Sequence, residues 1–177
     1  RAVHERVRGK DHRGRPYRAS DPELLRWVHV AEAHSFLTAF QHHAAQPLTA
    51  DEADTYVAQS ALVAERLGAT GLPTDVAGLD AQLSAFRPML EATPAARDAA
   101  RFLLVHPPLP WTARPGYLLL AAGGVALLPG WARLELGLPL AGPVQRAAAG
   151  LGRLGTGVVR WAMAGVEAER QVVAASS

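Results

Sequence analysis

Two runs near the start decide how this chain is read: V-H-E-R-V-R-G at 3–9 and G-R-P-Y-R-A-S-D-P-E-L-L-R-W-V-H at 14–29. The first places His4 on a short helical segment, which Gly9 is expected to stop because glycine enters the left-handed region cheaply. Gly14 and Pro16 make residues 9–19 read as a turn-rich loop. A strong helix start follows, with Ser20 as N-cap, Pro22 in the first turn and Glu23 completing an S-x-x-E capping box. The helix is predicted from about Asp21 to His43. Leu25, His29, Glu32, Phe36 and Phe40 recur on one face, and Leu24, Val28, Ala31 and Ser35 on its neighbour. That is the period of a helix with a wide buried stripe, so His29 should point inward.

Outward from that stretch, the chain keeps reading as helix. Thr49-Ala50-Asp51-Glu52 is a second capping box, opening a helix to about Leu67 that Gly68 should stop. Its inner face is expected to carry Tyr56, Ser60, Val63 and Leu67, with Leu48 stapling the first turn. A third helix starts at Thr74-Asp75 and should bury Val76, Leu79, Leu83, Phe86 and Leu90, with Pro88 kinking it late. Pro94 opens a fourth, to about Val105. The P-P-L-P-W-T-A-R-P run at 107–115 reads as an extended connector. Two short helices are expected at 115–128 and 130–137, split by Pro129-Gly130, and a last segment at about 143–173. Gly150-x-Gly152-x-x-Gly155 spells a dinucleotide fingerprint, but no strand precedes it and no βαβ unit surrounds it. With no alternating strand pattern anywhere, the expected fold is all-α, one helical domain of about six to eight helices.

Composition narrows the chemistry. The 177 residues are 49% hydrophobic and 19% charged, enough for a real core. With 18 basic and 16 acidic residues, the net charge of +2 is too balanced for an obligate nucleic-acid binder. The balance is uneven, however: Arg1, Arg6, Arg8, Lys10, Arg13, Arg15, Arg18 and Arg26 crowd the first thirty residues against Glu5, Asp11, Asp21 and Glu23. The absence of cysteine excludes disulfides, iron–sulfur clusters and thiolate ligation. The longest apolar run, Tyr117 to Leu128, falls short of the roughly 20 residues a spanning helix needs. The default compartment is the cytoplasm. Because the chain opens at Arg1 inside an apparent helix, residues 1–177 read as the C-terminal portion of a longer helical domain.

The candidate chemistry rests on histidines. There is no nucleophile elbow, P-loop or H-E-x-x-H pair. His29 and Glu32 at i, i+3 can share a metal, as in helical-bundle carboxylate sites, but a second E-x-x-H helix is missing. A core His29 with a carboxylate neighbour is the structural alternative. His42 and His43 suit a helix C-terminus better than a metal. His4, with Val3 and Val7 nearby, has the weaker local argument.

The residues together resemble a known family. Val3-His4-x-x-Val7-Arg8-Gly9, then Gly14-x-Pro16-Tyr17-x-Ala19-x-Asp21-Pro22-x-Leu24-Leu25-x-Trp27-Val28-His29, is similar to bacterial members of the MpaB/rubber-oxygenase (latex clearing protein) catalytic domain family. Downstream, Asp54 and Tyr56, Ala85-Phe86-Arg87-Pro88, Thr93-Pro94-x-Ala96-Arg97, Pro108-Leu109-Pro110 and Leu127-Leu128-Pro129-x-Trp131-x-Arg133 agree in order and spacing. The resemblance covers about residues 1–140. It implies an all-α fold around one haem b, with an iron-ligating histidine and oxidative cleavage of C=C bonds in an isoprenoid or other apolar unsaturated substrate by dioxygen. By motif, the proximal iron ligand is His4, with His29 as second choice, and Arg8 and Arg26 are the expected propionate partners. The family's distal Arg and Thr lie ahead of the histidine motif, before Arg1. No nucleic-acid partner is expected. Two other readings stay open: a helical binding or regulatory module using the basic N-terminal patch, and a metal enzyme built on His29 and Glu32.

Overall fold

A computed structural model describes residues 2–138 and 142–157. It is mostly helical and divides into two compact units, Arg1–Glu91 and Ala92–Ser177. The all-α expectation holds apart from one small antiparallel hairpin.

The first unit begins with α1 (Ala2–Arg6), followed by strands β1 (Arg8–Lys10) and β2 (Pro16–Arg18). They pair as Arg8 with Arg18, Gly9 with Tyr17 and Lys10 with Pro16. Gly9 is therefore not a left-handed helix stop. It lies in a strand beneath the Tyr17 ring, where a Cβ would come within 2.8 Å of that ring. The left-handed glycine is Gly14, at φ 78°, whose N–H donates to Asp11 O at 2.9 Å to close the hairpin turn. The Asp11 carboxylate also accepts from the backbone N–H groups of Arg13 and Arg15, and this local clasp is why so short a hairpin holds.

Helix α2 spans Pro22–His43. Its N-cap is Asp21 rather than Ser20: Asp21 Oδ1 accepts from the N–H of Glu23 (2.8 Å) and of Leu24 (3.4 Å), and Pro22 takes the first helical position. Helix α3, Ala50–Leu67, has the capping box expected at Thr49 and Glu52 and the stop expected at Gly68, φ 110°. Helix α4, Val76–Phe86, starts on the Asp75 cap and passes into a 3-10 turn at Arg87–Met89, so Pro88 ends the helix instead of kinking it.

These three helices enclose one core. Val30 of α2, Val57 of α3 and Leu79 of α4 are fully buried, with Leu37 and Phe86 beside them. Ala33, Ala53, Ala61 and Ala64 are also buried and are small enough to let α2 and α3 approach closely. The face of α3 that meets the core is thus Ala53, Val57, Ala61 and Ala64. Of the expected inner face, Tyr56 is half-buried and packs against this core, whereas Ser60, Val63 and Leu67 are rotated away from it, because the alanine stripe packs tighter than the larger residues beside it. All four side chains line a groove.

The second unit contains α5 (Pro94–Val105), α6 (Arg114–Leu127), α7 (Gly130–Glu135) and α8 (142–157). Arg133, in the L-L-P-x-W-x-R run, is structural: its Nη1 donates to the carbonyls of Ala126 (3.2 Å) and Leu128 (2.6 Å), capping the end of α6. Gly150, Gly152 and Gly155 lie inside α8. Residues 158–173 of the predicted last segment lie outside the described residues.

Candidate functional site

A cavity of about 620 Å³ opens along the seam of α2 and α3 within the first unit. From α2 it takes Leu24, Leu25, Val28, His29, Glu32 and Phe36, and from α3 Tyr56, Ser60, Val63 and Leu67. The N-terminal segment supplies His4, Tyr17 and Ala19. Both opening runs of the sequence therefore converge on one groove. The hairpin is what delivers the first: β1 pairs with β2, and Ala19 N–H donates to Val7 O at 3.1 Å, which ties α1 beside the start of α2.

Two imidazoles that line the groove each carry a nitrogen that is buried and unpaired. His29 is 8% exposed, and its Nε2 is buried without a hydrogen-bond partner among the described residues. Nδ1 of His4 is in the same condition, on a half-buried side chain. A buried polar atom left unpaired costs about 1–3 kcal/mol, so such atoms point to a missing partner. Burial pushes the His29 pKa down, against a smaller upward pull from the Glu32 carboxylate, which keeps the ring neutral and able to ligate. Burial, helped by Glu32, also pushes the Tyr56 phenol up, so Tyr56 stays a protonated donor. Glu32 itself stands exposed at the rim of the groove.

The two arginines are placed elsewhere. Arg8 is exposed on β1 and does not line the groove. Arg26 turns to the other side of α2, its guanidinium 5.3 Å from the centre of the Phe86 ring and 3.5 Å from Glu23. Part of the basic N-terminal cluster is also committed: Arg13 pairs with Glu91 at 2.6 Å and Arg15 with Asp11 at 2.7 Å. Glu91, isolated in sequence, is thus a hairpin partner. His34 faces Asp80 at 4.0 Å, and His42 Nδ1 bonds the Thr38 carbonyl at 2.9 Å. Among the described residues, no three His, Asp or Glu side chains gather to hold a metal ion, so His29 and Glu32 have no third ligand. No helix of the described residues is long and apolar enough to cross a membrane.

The family model described as ER-bound oxygenase mpaB/B'/Rubber oxygenase, catalytic domain, matches residues 1–164. The chain belongs to this family. The match runs past residue 140, where the motif resemblance ends, and takes in residues of both units. No curated protein and no solved structure matches the chain.

Haem b, the cofactor implied by the resemblance, can be tested against the groove of this oxygenase-family chain. An apolar cavity lined by two imidazoles with unpaired nitrogens has the ligand type that would hold a haem iron. The lining carries no Lys or Arg, so among the described residues the groove offers no cation for an anionic edge. Sequence reasoning found His4, His29 and Glu32 but missed Tyr17, because the hairpin was read as a loop. The D-H-R-G turn at 11–14, closing on a left-handed glycine, is the signal that would have revealed it.

Proposed function

We propose that this chain acts as a haem b-dependent oxygenase on an apolar unsaturated substrate, with His4 as the residue that would ligate the haem iron. The observation that carries the reading is the pair of buried, unpaired imidazole nitrogens of His4 and His29 on one apolar groove. Family membership supports the reaction class. Isoprenoid chains and dioxygen are the substrates implied by the resemblance. When bound, haem supplies the dioxygen chemistry.

The chain's own residues supply the rest. His4 gives a nitrogen ligand near the N-terminus, positioned by the β1–β2 hairpin. Leu24, Val28, Phe36, Val63 and Leu67 make apolar walls that favour a hydrocarbon chain over water. Tyr56 keeps its proton and His29 stays neutral, so both can hydrogen-bond without adding charge inside the groove.

The deciding experiment is the absorption spectrum of the full chain purified from haem-supplemented cells, with a pyridine-haemochrome assay. A Soret band lost or altered in His4→Ala and kept in His29→Ala is the expected result. Wild-type protein with no Soret band under these conditions would overturn the proposal.

A further inference from the structure

The seam between α2 and α3 holds a second cavity, of about 480 Å³, beyond the groove proposed for haem. The two share Phe36 of α2 and Tyr56 of α3, so they meet at that pair. Past the pair, Phe40 of α2, Thr55 of α3 and Leu48 of the connector line the second cavity. Among the described residues no histidine lines it, and its one charged side chain, Glu52, is engaged by the N–H of Thr49 at 2.8 Å. What it offers a ligand is mainly apolar surface. The corner of the seam is also fixed. Leu48 N–H donates to Gln41 Oε1 at 2.8 Å, its carbonyl accepts from Gln41 Nε2 at 3.1 Å, and its side chain, like that of Tyr56, packs on the core. A ligand therefore meets a cavity that is already formed.

We infer that the second cavity takes the length of the substrate's hydrocarbon chain while its reacting double bond stays in the groove, and that Phe40 and Leu48 set how long a chain fits. The inference rests on the oxygenase reading. A groove of about 620 Å³ is filled by one ligand of moderate size. With haem in it, there is room for the reacting part of a chain but not for its length. Continuity selects where the rest goes, because the same two helices carry the apolar lining on past Phe36 and Tyr56. Phe40 lies about 16 Å along α2 from His29, at about 1.5 Å per residue. A chain that reaches from His29 to the Leu48 corner fills the seam, and a longer one must leave it.

The test is photolabelling of the full chain, purified from haem-supplemented cells, by a long-chain terminal alkene that carries a diazirine at its saturated end. Labelling is done under nitrogen, and the labelled residues are mapped by mass spectrometry. Label at Phe40, Leu48 or Thr55 that an excess of unlabelled alkene removes is the expected result. Thr55 is exposed and lines the second cavity but not the groove. Thr55→Trp should raise the alkene concentration for half-maximal labelling about tenfold, the effect of leaving about two methylenes unburied, and leave the Soret band unchanged. A short-chain alkene should compete equally well in wild type and variant. Saturable label confined to the far end of the groove, at Leu24 or Val28, would overturn the inference. So would the absence of saturable label, or an unchanged concentration dependence in Thr55→Trp. A missing Soret band with label still at the Leu48 corner would overturn the haem reading and leave the cavity assignment standing. Gln59→Trp, on the same lining, takes the place of Thr55→Trp if circular dichroism shows that variant unfolded.

Discussion

The carboxylate of Asp54, in the first half of α3, accepts a hydrogen bond from the backbone N–H of Val76 at 2.8 Å, so a side chain of one helix caps the first turn of another. The α4 start thereby has two carboxylate acceptors, since Asp75 also takes the Gly78 N–H at 2.7 Å. Asp54 belongs to the run by which the sequence resembles its family, and its place in the fold is structural. Hydrogen bonds to charged groups contribute about 1.5–3 kcal/mol, so Asp54→Ala should destabilise the protein by about 2 kcal/mol. Asp54→Asn, which keeps an oxygen acceptor, should recover part of that loss. Urea unfolding followed by circular dichroism reads both, and an unchanged midpoint in Asp54→Ala would refute the capping role.

A pair of glycines makes a second, sharper contrast. A Cβ on Gly123 would lie 2.6 Å from the Cα of Gly152, a backbone atom that cannot swing aside, whereas a Cβ on Gly124 meets nothing within 4 Å. Gly123→Ala should therefore cost about 1–3 kcal/mol through overpacking. Gly124→Ala should stabilise by roughly 0.5–1 kcal/mol, the gain in helix propensity. Thermal unfolding of the two variants should shift in opposite directions.

The buried imidazole sets a pH dependence. Burial holds the folded pKa of His29 below its ordinary 6.5, so below that value the unfolded chain binds more protons than the folded one. The contribution of His29 to stability is complete above about pH 6.5 and is lost as pH falls through the folded value. Unfolding midpoints measured from pH 8 down to pH 5 should decline in the wild type and decline less in His29→Gln. Identical slopes would remove His29 from the account.

The two histidines are expected to separate in haem retention. Haem content per chain should drop in His4→Ala and survive in His29→Ala, read by pyridine haemochrome. The reverse pattern would move the ligand to His29. Folding of each variant is checked by circular dichroism, because His29 is buried against the core and His4 is on a five-residue helix that the hairpin holds.

Most of the helical plan was legible because it is written locally. Thr49 and Glu52 cap α3 by a four-residue rule, Gly68 ends it in the left-handed region, and α5 begins at Pro94 and ends at Val105 as expected. The hairpin was not legible by alternation: each strand is three residues long, and its stability comes from Asp11 and Gly14 in the turn. Asp21 displaced Ser20 as the cap because its carboxylate reaches the N–H groups of Glu23 and Leu24 directly.

By itself the sequence determined the helices, the α3 capping box and its Gly68 stop, the inward turn of His29 and the family. Each of these depends on residues within a few positions of one another or on a motif read in order. Only the tertiary structure decided that α3 presents Ala53, Val57, Ala61 and Ala64 to the core, and Tyr56, Ser60, Val63 and Leu67 to an open groove. Two neighbouring stripes of one helix are both apolar enough to be buried, and close packing against α2 selects the smaller. The same packing brings His4 and His29, 25 positions apart in the chain, onto one cavity and turns Arg26 away onto Phe86. The direction of a side chain around a helix axis depends on what packs against that helix, and local sequence does not carry that information.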